Sequence, residues 1–233
     1  MPDIPSALTF YAVFLFSTVL HEAGHALAAL LGGDRTAYHG GQVSLDPRPH
    51  IRREPFGMVI LPLLSVFLSG WPMGYASAPY DRRWAFQYPK RAAVMALAGP
   101  AGNLLLMVLA AIAIRVGAAT GVFHAPSSVR FGAVTAASAG GVWGAVAFVV
   151  SVFFSLNLVL FAFNMIPLPP LDGSAAVPLV LSESATARYQ QFLWSQPALI
   201  WIGILVAWRV FDVIFQPIFL FFVNLLYPGV TYG

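Results

Sequence analysis

The sequence predicts an all-α membrane protein, a polytopic bundle of about four full transmembrane helices. Three observations carry that prediction. Only 9% of the 233 residues are Asp, Glu, Lys or Arg, while 59% are apolar; soluble domains carry about 25% charged residues. Mean hydropathy is +0.78. Predominantly apolar runs of bilayer-crossing length, about 20 residues, recur along the chain. So few charges cannot cover a soluble surface of ordinary polarity. The chain lacks cysteine, which removes disulfides, thiolate metal ligands and a Cys nucleophile. A net charge of +3 is too small to point to nucleic acid.

The first run covers about 7–31. No Lys or Arg precedes it and it exceeds a signal-peptide core, so it reads as a retained span. The second covers about 92–115, the third about 141–165 and the fourth about 198–226. A shorter run, 56–71, carries a central Pro62. As a helix it reaches about 24 Å, short of a hydrocarbon core of about 30 Å. It is either a short tilted span or a re-entrant element.

Charge placement favours re-entry. Arg35, Arg48, Arg52 and Arg53 precede the short run, and Arg82, Arg83, Lys90 and Arg91 follow it, eight of the chain's 12 basic residues. If 56–71 dips in and returns, all of them share one face, as the positive-inside rule prefers. That arrangement puts the N-terminus outside and loops 32–91 and 167–196 in the cytoplasm. No stretch outside the spans is rich enough to fold alone. The expected organisation is one membrane domain over 1–233, with a core at about 7–180 and a C-terminal helix at about 198–226.

The chemistry starts at "HEAGH", residues 21–25. Residues four apart share a helix face, so His21 and His25 can present two imidazoles to one metal ion. Glu22 projects beside them and can reach a metal-bound water, which is the mechanical content of His-Glu-x-x-His. Ionisable groups inside membrane spans are costly and seldom incidental. A catalytic zinc takes three protein ligands and keeps one open position. The best third candidate is Asp172 in "FNMIPLPPLDGS", where prolines stop the helix and hold the backbone extended. The competing reading is an ordinary N-cap Asp opening a helix near 174. Topology bears on the choice. The His pair lies about 12 Å from the end of its helix, and Asp172 returns to that face only if 56–71 re-enters.

These residues carry a family resemblance. "HEAGH" (21–25), "GQVSLDPRPH" (41–50), "ALAGPAGN" (96–103) and "NMIPLPPLDG" (164–173) together resemble the site-2 protease family of intramembrane zinc metalloproteases. The resemblance implies one Zn2+ per chain, His21, His25 and Asp172 as its ligands, and Glu22 as catalytic base. It implies a core built from the spans at 7–31, 92–115 and 141–165. It also implies substrates that are membrane proteins with a transmembrane helix, cut within or at the edge of that helix; the charge placement, by itself, puts the site's opening toward the cytoplasmic side of the cell membrane. The chain departs from larger members in having no room for an inserted PDZ domain and no C-terminal nucleotide-binding regulatory domain.

Other polar residues at depth receive expectations of their own. Asn164 can hydrogen-bond an unwound substrate strand or an oxyanion, and the resemblance tilts it toward a catalytic role. Asn103 divides between that role and close helix packing, and Asn157 reads as packing. Arg209 and Asp212 read as an internal i,i+3 pair in the last span. His39 and His50 read as loop residues. Two rival uses of the His/Asp cluster are a metal or ion transporter, which needs no Glu22 chemistry, and a catalytically silent membrane scaffold.

Overall fold

The computed structural model describes residues 3–233. Helix α1 spans Ile4–Gly32, opened by Asp3, whose side chain accepts from the Ser6 N–H. Two short helices follow, α2 (Thr36–His39) and α3 (Pro47–Arg53). Helix α4 (Phe56–Ser69) begins with a π-helical turn. Helix α5 covers Arg82–Gln87 and runs almost directly into α6, Pro89–Ala119. A two-residue antiparallel ladder, β1 (Phe123–His124) with β2 (Ala136–Ala137), precedes α7, Val142–Asn164. Short α8 (Asp172–Ala176), α9 (Glu183–Ser195) and long α10 (Ala198–Leu226) complete the chain.

Among the described residues, four helices are long and apolar enough to cross a membrane: α1, α6, α7 and α10. Each coincides with an expected span, and the first two run a few residues longer. Helices α1, α6 and α7 form the bundle. Phe10, Phe14, Val152 and Leu156 join α1 to α7. Met107, Ile114, Phe154 and Leu158 join α6 to α7, and Phe219 and Val223 of α10 close over them. In lipid there is little hydrophobic drive between helices, so small residues that let backbones approach carry the association. Gly24 of α1 is such a point: a Cβ there would lie 2.8 Å from the Ala98 carbonyl oxygen of α6.

The short apolar segment enters and leaves at one end. After α4 the chain turns at Gly70, whose φ of 86° suits glycine. It then runs back along the helix. The Met73 N–H donates to Ser65 Oγ at 2.7 Å, and the Tyr75 N–H donates to the Gly57 carbonyl at 3.1 Å. Ser77 Oγ donates to Glu54 Oε1 at 2.6 Å, so the exit sits beside the entrance. The returning segment pairs two of its backbone donors with the helix it runs along, the kind of satisfaction a short apolar element needs wherever water is scarce. Of the two geometries open from sequence, the structure adopts the returning one. Two long helices, α6 and α7, therefore separate the histidines from Asp172.

Helix α10 is the least buried of the four. Its inner stripe packs Ala207 and Phe211 against Ile166 and Leu171, in the proline-rich loop before α8. Arg209 and Asp212 do not form the internal pair expected of them: both are exposed, and neither makes an ion pair among the described residues.

The α1–α6 crossing yields a stability test. Gly24→Ala is expected to lower stability by about 1–3 kcal/mol, the usual cost of overpacking. Thermal unfolding of the purified protein in detergent would register it, and an unchanged midpoint would mean that the crossing relaxes freely.

Candidate metal site

His21, Glu22 and His25 lie on the inner face of α1, all buried. Helical geometry brings the two imidazoles together, with their Nε2 atoms 2.9 Å apart. The third group arrives from a distant part of the sequence. Asp172 is the first residue of α8, and its carboxylate lies 3.1 Å from His21 Nε2 and 3.3 Å from His25 Nε2. The N-cap reading of Asp172 does not hold, since the cap position is Leu171 and no side-chain cap bond forms. Gly99 of α6 faces the pair, and a Cβ there would come within 2.6 Å of His21 Nε2. The absence of a side chain at 99 leaves the space into which the three groups point.

The protonation pattern follows from the outer partners. The Met95 carbonyl can only accept, so His25 Nδ1, 2.8 Å away, carries its hydrogen. The His21 case needs a longer chain of reasoning. Asn157 Nδ2 donates to the Phe153 carbonyl at 2.9 Å, so Asn157 Oδ1 faces Asn103 and accepts from its Nδ2 at 2.9 Å. That leaves Asn103 Oδ1 toward His21 Nδ1, at 2.6 Å, and His21 must donate there. Asn157 Nδ2 also donates to Ser17 Oγ at 3.0 Å. Ser17, Asn103 and Asn157 are each 0% exposed. The network links α1, α6 and α7 and fixes the tautomer of His21.

Two neutral imidazoles in these tautomers present their Nε2 lone pairs toward the Asp172 carboxylate, and either a metal ion or a proton on one Nε2 bridges the three groups. Metal bonds of about 2.0–2.1 Å at tetrahedral angles place ligand atoms roughly 3.3 Å apart. The observed separations of 2.9, 3.1 and 3.3 Å lie close to that. Two imidazoles and one carboxylate are also a donor set that zinc accepts. Glu22 stands outside this trio but beside it: His21, Glu22 and His25 offer ligand atoms within 4.8 Å of one another. Its Oε2 is buried without a hydrogen-bond partner.

Asn164 is placed differently from the expectation of a direct site role. It ends α7, half-buried, and its Nδ2 donates to the Leu160 carbonyl of its own helix at 3.0 Å; no hydrogen bond joins it to the cluster. The asparagines that do reach the site from behind are Asn103 and Asn157, which the sequence left as packing residues or evenly divided. The signal available was their spacing: both fall inside spans that must pack on α1. His50 is buried and shares a hydrogen bond with the Ser44 carbonyl, and His39 stacks edge-on against Tyr38. The expected loop placement gives way to short helices, His39 ending α2 and His50 inside α3, and no hydrogen bond joins either to the cluster among the described residues.

Apolar helices folded around a buried His-Glu-x-x-His cluster, with a carboxylate delivered from a distant loop, define a membrane-embedded metallopeptidase architecture. The family model described as Peptidase family M50 matches residues 9–206. The chain belongs to this family, that of the site-2 proteases. It is 32% identical over 190 residues to YwhC of Bacillus subtilis, covering 80% of this chain and 76% of YwhC. It is 33% identical over 184 residues to Rip2 of Mycobacterium tuberculosis, covering 78% of this chain and 61% of Rip2. Both relatives carry zinc-metalloprotease names. No solved structure matches the chain.

Asn103→Leu keeps the volume but leaves His21 Nδ1 and Asn157 Oδ1 without their shared partner. A buried polar group left unpaired costs about 1–3 kcal/mol, and a drop in thermal midpoint of the metal-free protein of corresponding size is expected. A variant as stable as wild type would show that the asparagine chain bears no stability.

Proposed function

We propose that the chain is an intramembrane zinc metalloendopeptidase that hydrolyses peptide bonds within or at the edge of transmembrane helices. The observation carrying this reading is the convergence of His21 Nε2, His25 Nε2 and the Asp172 carboxylate inside a bundle of apolar helices. In this reading the three hold one zinc ion per chain. A zinc ion held there supplies Lewis acidity to a water molecule and to the substrate carbonyl.

The chain's own residues do the rest. Glu22 has a buried carboxylate oxygen free of other bonds; it takes the proton of the attacking water and then passes it to the leaving amine. Met95 and Asn103 hold the two imidazoles in the tautomer whose Nε2 faces inward. Asn164 approaches the substrate only by swinging away from the Leu160 carbonyl, where its amide would pair with strand or oxyanion. A substrate helix satisfies its amides internally in lipid, so it must unwind before a carbonyl can meet the site. The partners are membrane proteins with a transmembrane helix, in the bilayer itself, and the eight loop basic residues favour a site opening toward the cytoplasm. One membrane domain over residues 1–233 suffices for this chemistry.

Purified wild type and Glu22→Gln are to be compared in liposomes, for bound zinc and for cleavage of a panel of single-span helices. Near-stoichiometric zinc in both is expected, with cleavage reduced by about 10²–10⁴ in Glu22→Gln, the usual contribution of a general base. Asp172→Ala is expected to lose both zinc and cleavage. Wild type that takes up no zinc after reloading overturns the reading, as does a Glu22→Gln variant that cuts at the wild-type rate.

A further inference from the structure

Helix α10 turns a patterned face away from the bundle. Its 29 residues place Asp212 at the midpoint, with Arg209 about 4.5 Å along the axis. If the helix is centred in a hydrocarbon core of about 30 Å, Asp212 sits about 15 Å from either boundary, farther than its side chain extends. Both groups are exposed and neither makes an ion pair or side-chain hydrogen bond among the described residues. Charges facing lipid at that depth are costly, and a partner in the membrane that pairs with both is a remedy that keeps them charged.

The pattern around them identifies the partner. Ile202, Leu205, Arg209, Asp212 and Gln216 recur at steps of three and four, the spacing of a heptad seam, and all five are exposed. The buried stripe of the same helix, which includes Gly203, Ala207 and Phe211, faces the bundle instead. A shallow groove of about 490 Å³, lined by Leu205, Val206, Arg209, Val210, Val213 and Ile214, runs beside the seam. Three consecutive seam positions are thus cationic, anionic and amide, flanked by aliphatic ones.

We propose that this seam is the interface with a second copy of the same chain. Two copies inserted in the same orientation meet with their α10 helices parallel. In a parallel seam each knob packs beside the neighbouring positions of the facing helix. Arg209 of one copy then lies beside both its equivalent and Asp212 of the other, the reverse contact forms by symmetry, and Gln216 faces its equivalent. Two cations and two anions neutralise one another within a closed two-fold contact. The seam is self-complementary in charge, which is the reason for choosing a second copy over an unrelated helix.

The test uses the full chain reconstituted at low protein-to-lipid ratio. The native sequence has no cysteine, so a single introduced thiol reports its own neighbour. Leu205→Cys on the seam is expected to form a disulfide-linked dimer under mild oxidation, while Leu109→Cys on the exposed face of α6 is not. Arg209→Asp alone and Asp212→Arg alone, each in the Leu205→Cys background, place like charges together and should reduce cross-linking at least tenfold. The combined Arg209→Asp/Asp212→Arg exchange should restore it. A melting midpoint near that of the parent for each variant separates loss of contact from loss of fold. Absent cross-linking at Leu205→Cys, single variants that cross-link like the parent, or an exchange that fails to restore dimers overturns the proposal. Absent cross-linking includes the case in which a different protein occupies the seam in cells.

Discussion

The structure turns on the meeting of two imidazoles and a carboxylate inside the bundle. His21 Nε2, His25 Nε2 and the Asp172 carboxylate lie within 3.3 Å in each pairing, a contact that a bound metal ion or a shared proton stabilises. Much of the surrounding architecture serves to hold it. Gly99 leaves room, the Met95 carbonyl fixes one imidazole, and the Asn103–Asn157–Ser17 chain fixes the other from two further helices. A buried polar network of this kind is favourable only when every member is satisfied, which ties the packing of α1, α6 and α7 to the chemistry of one nitrogen atom.

The hairpin built on α4 sets the topology in which that contact is possible. It returns through Tyr75 and Ser77 to its own starting point. An even number of long helices then lies between the two halves of the cluster. A crossing at α4 would have sent Asp172 to the opposite end of the bundle from the histidines. The same hairpin keeps the basic loops before and after it at one end of the molecule, so the charge distribution and the donor convergence have a single geometric origin.

Helix α10 stands apart from this core. Its inner stripe supports the proline-rich loop through Ile166 and Leu171, while its outer stripe carries Arg209 and Asp212 near the helix midpoint. One helix thus steadies the segment that delivers Asp172 and presents a seam with no partner inside the chain. The clustered His and Asp groups and the outer seam are on different faces of the bundle.

Much of this was legible in the sequence. The four spans were set by composition, because a membrane helix needs only a long, predominantly apolar run. His21, Glu22 and His25 were legible because ligand spacing on one helix is a local property. Asp172 was narrower: the proline-rich run marked a rigid carboxylate, yet the same pattern fits an N-cap, and only its arrival against α1 distinguished the two. Asn103 and Asn157 were legible as polar residues at depth but not as the support of His21. Hydrogen bonds spanning 82 and 54 residues leave no local period to read. Arg209 and Asp212 show the reverse case. Their spacing suggested an internal pair, and the rotation of α10 against its neighbours instead left both facing outward. Local repeats and composition determine which residues form helices and which share a face. Tertiary packing decides which faces meet, because that depends on backbone approach distances summed over the whole bundle.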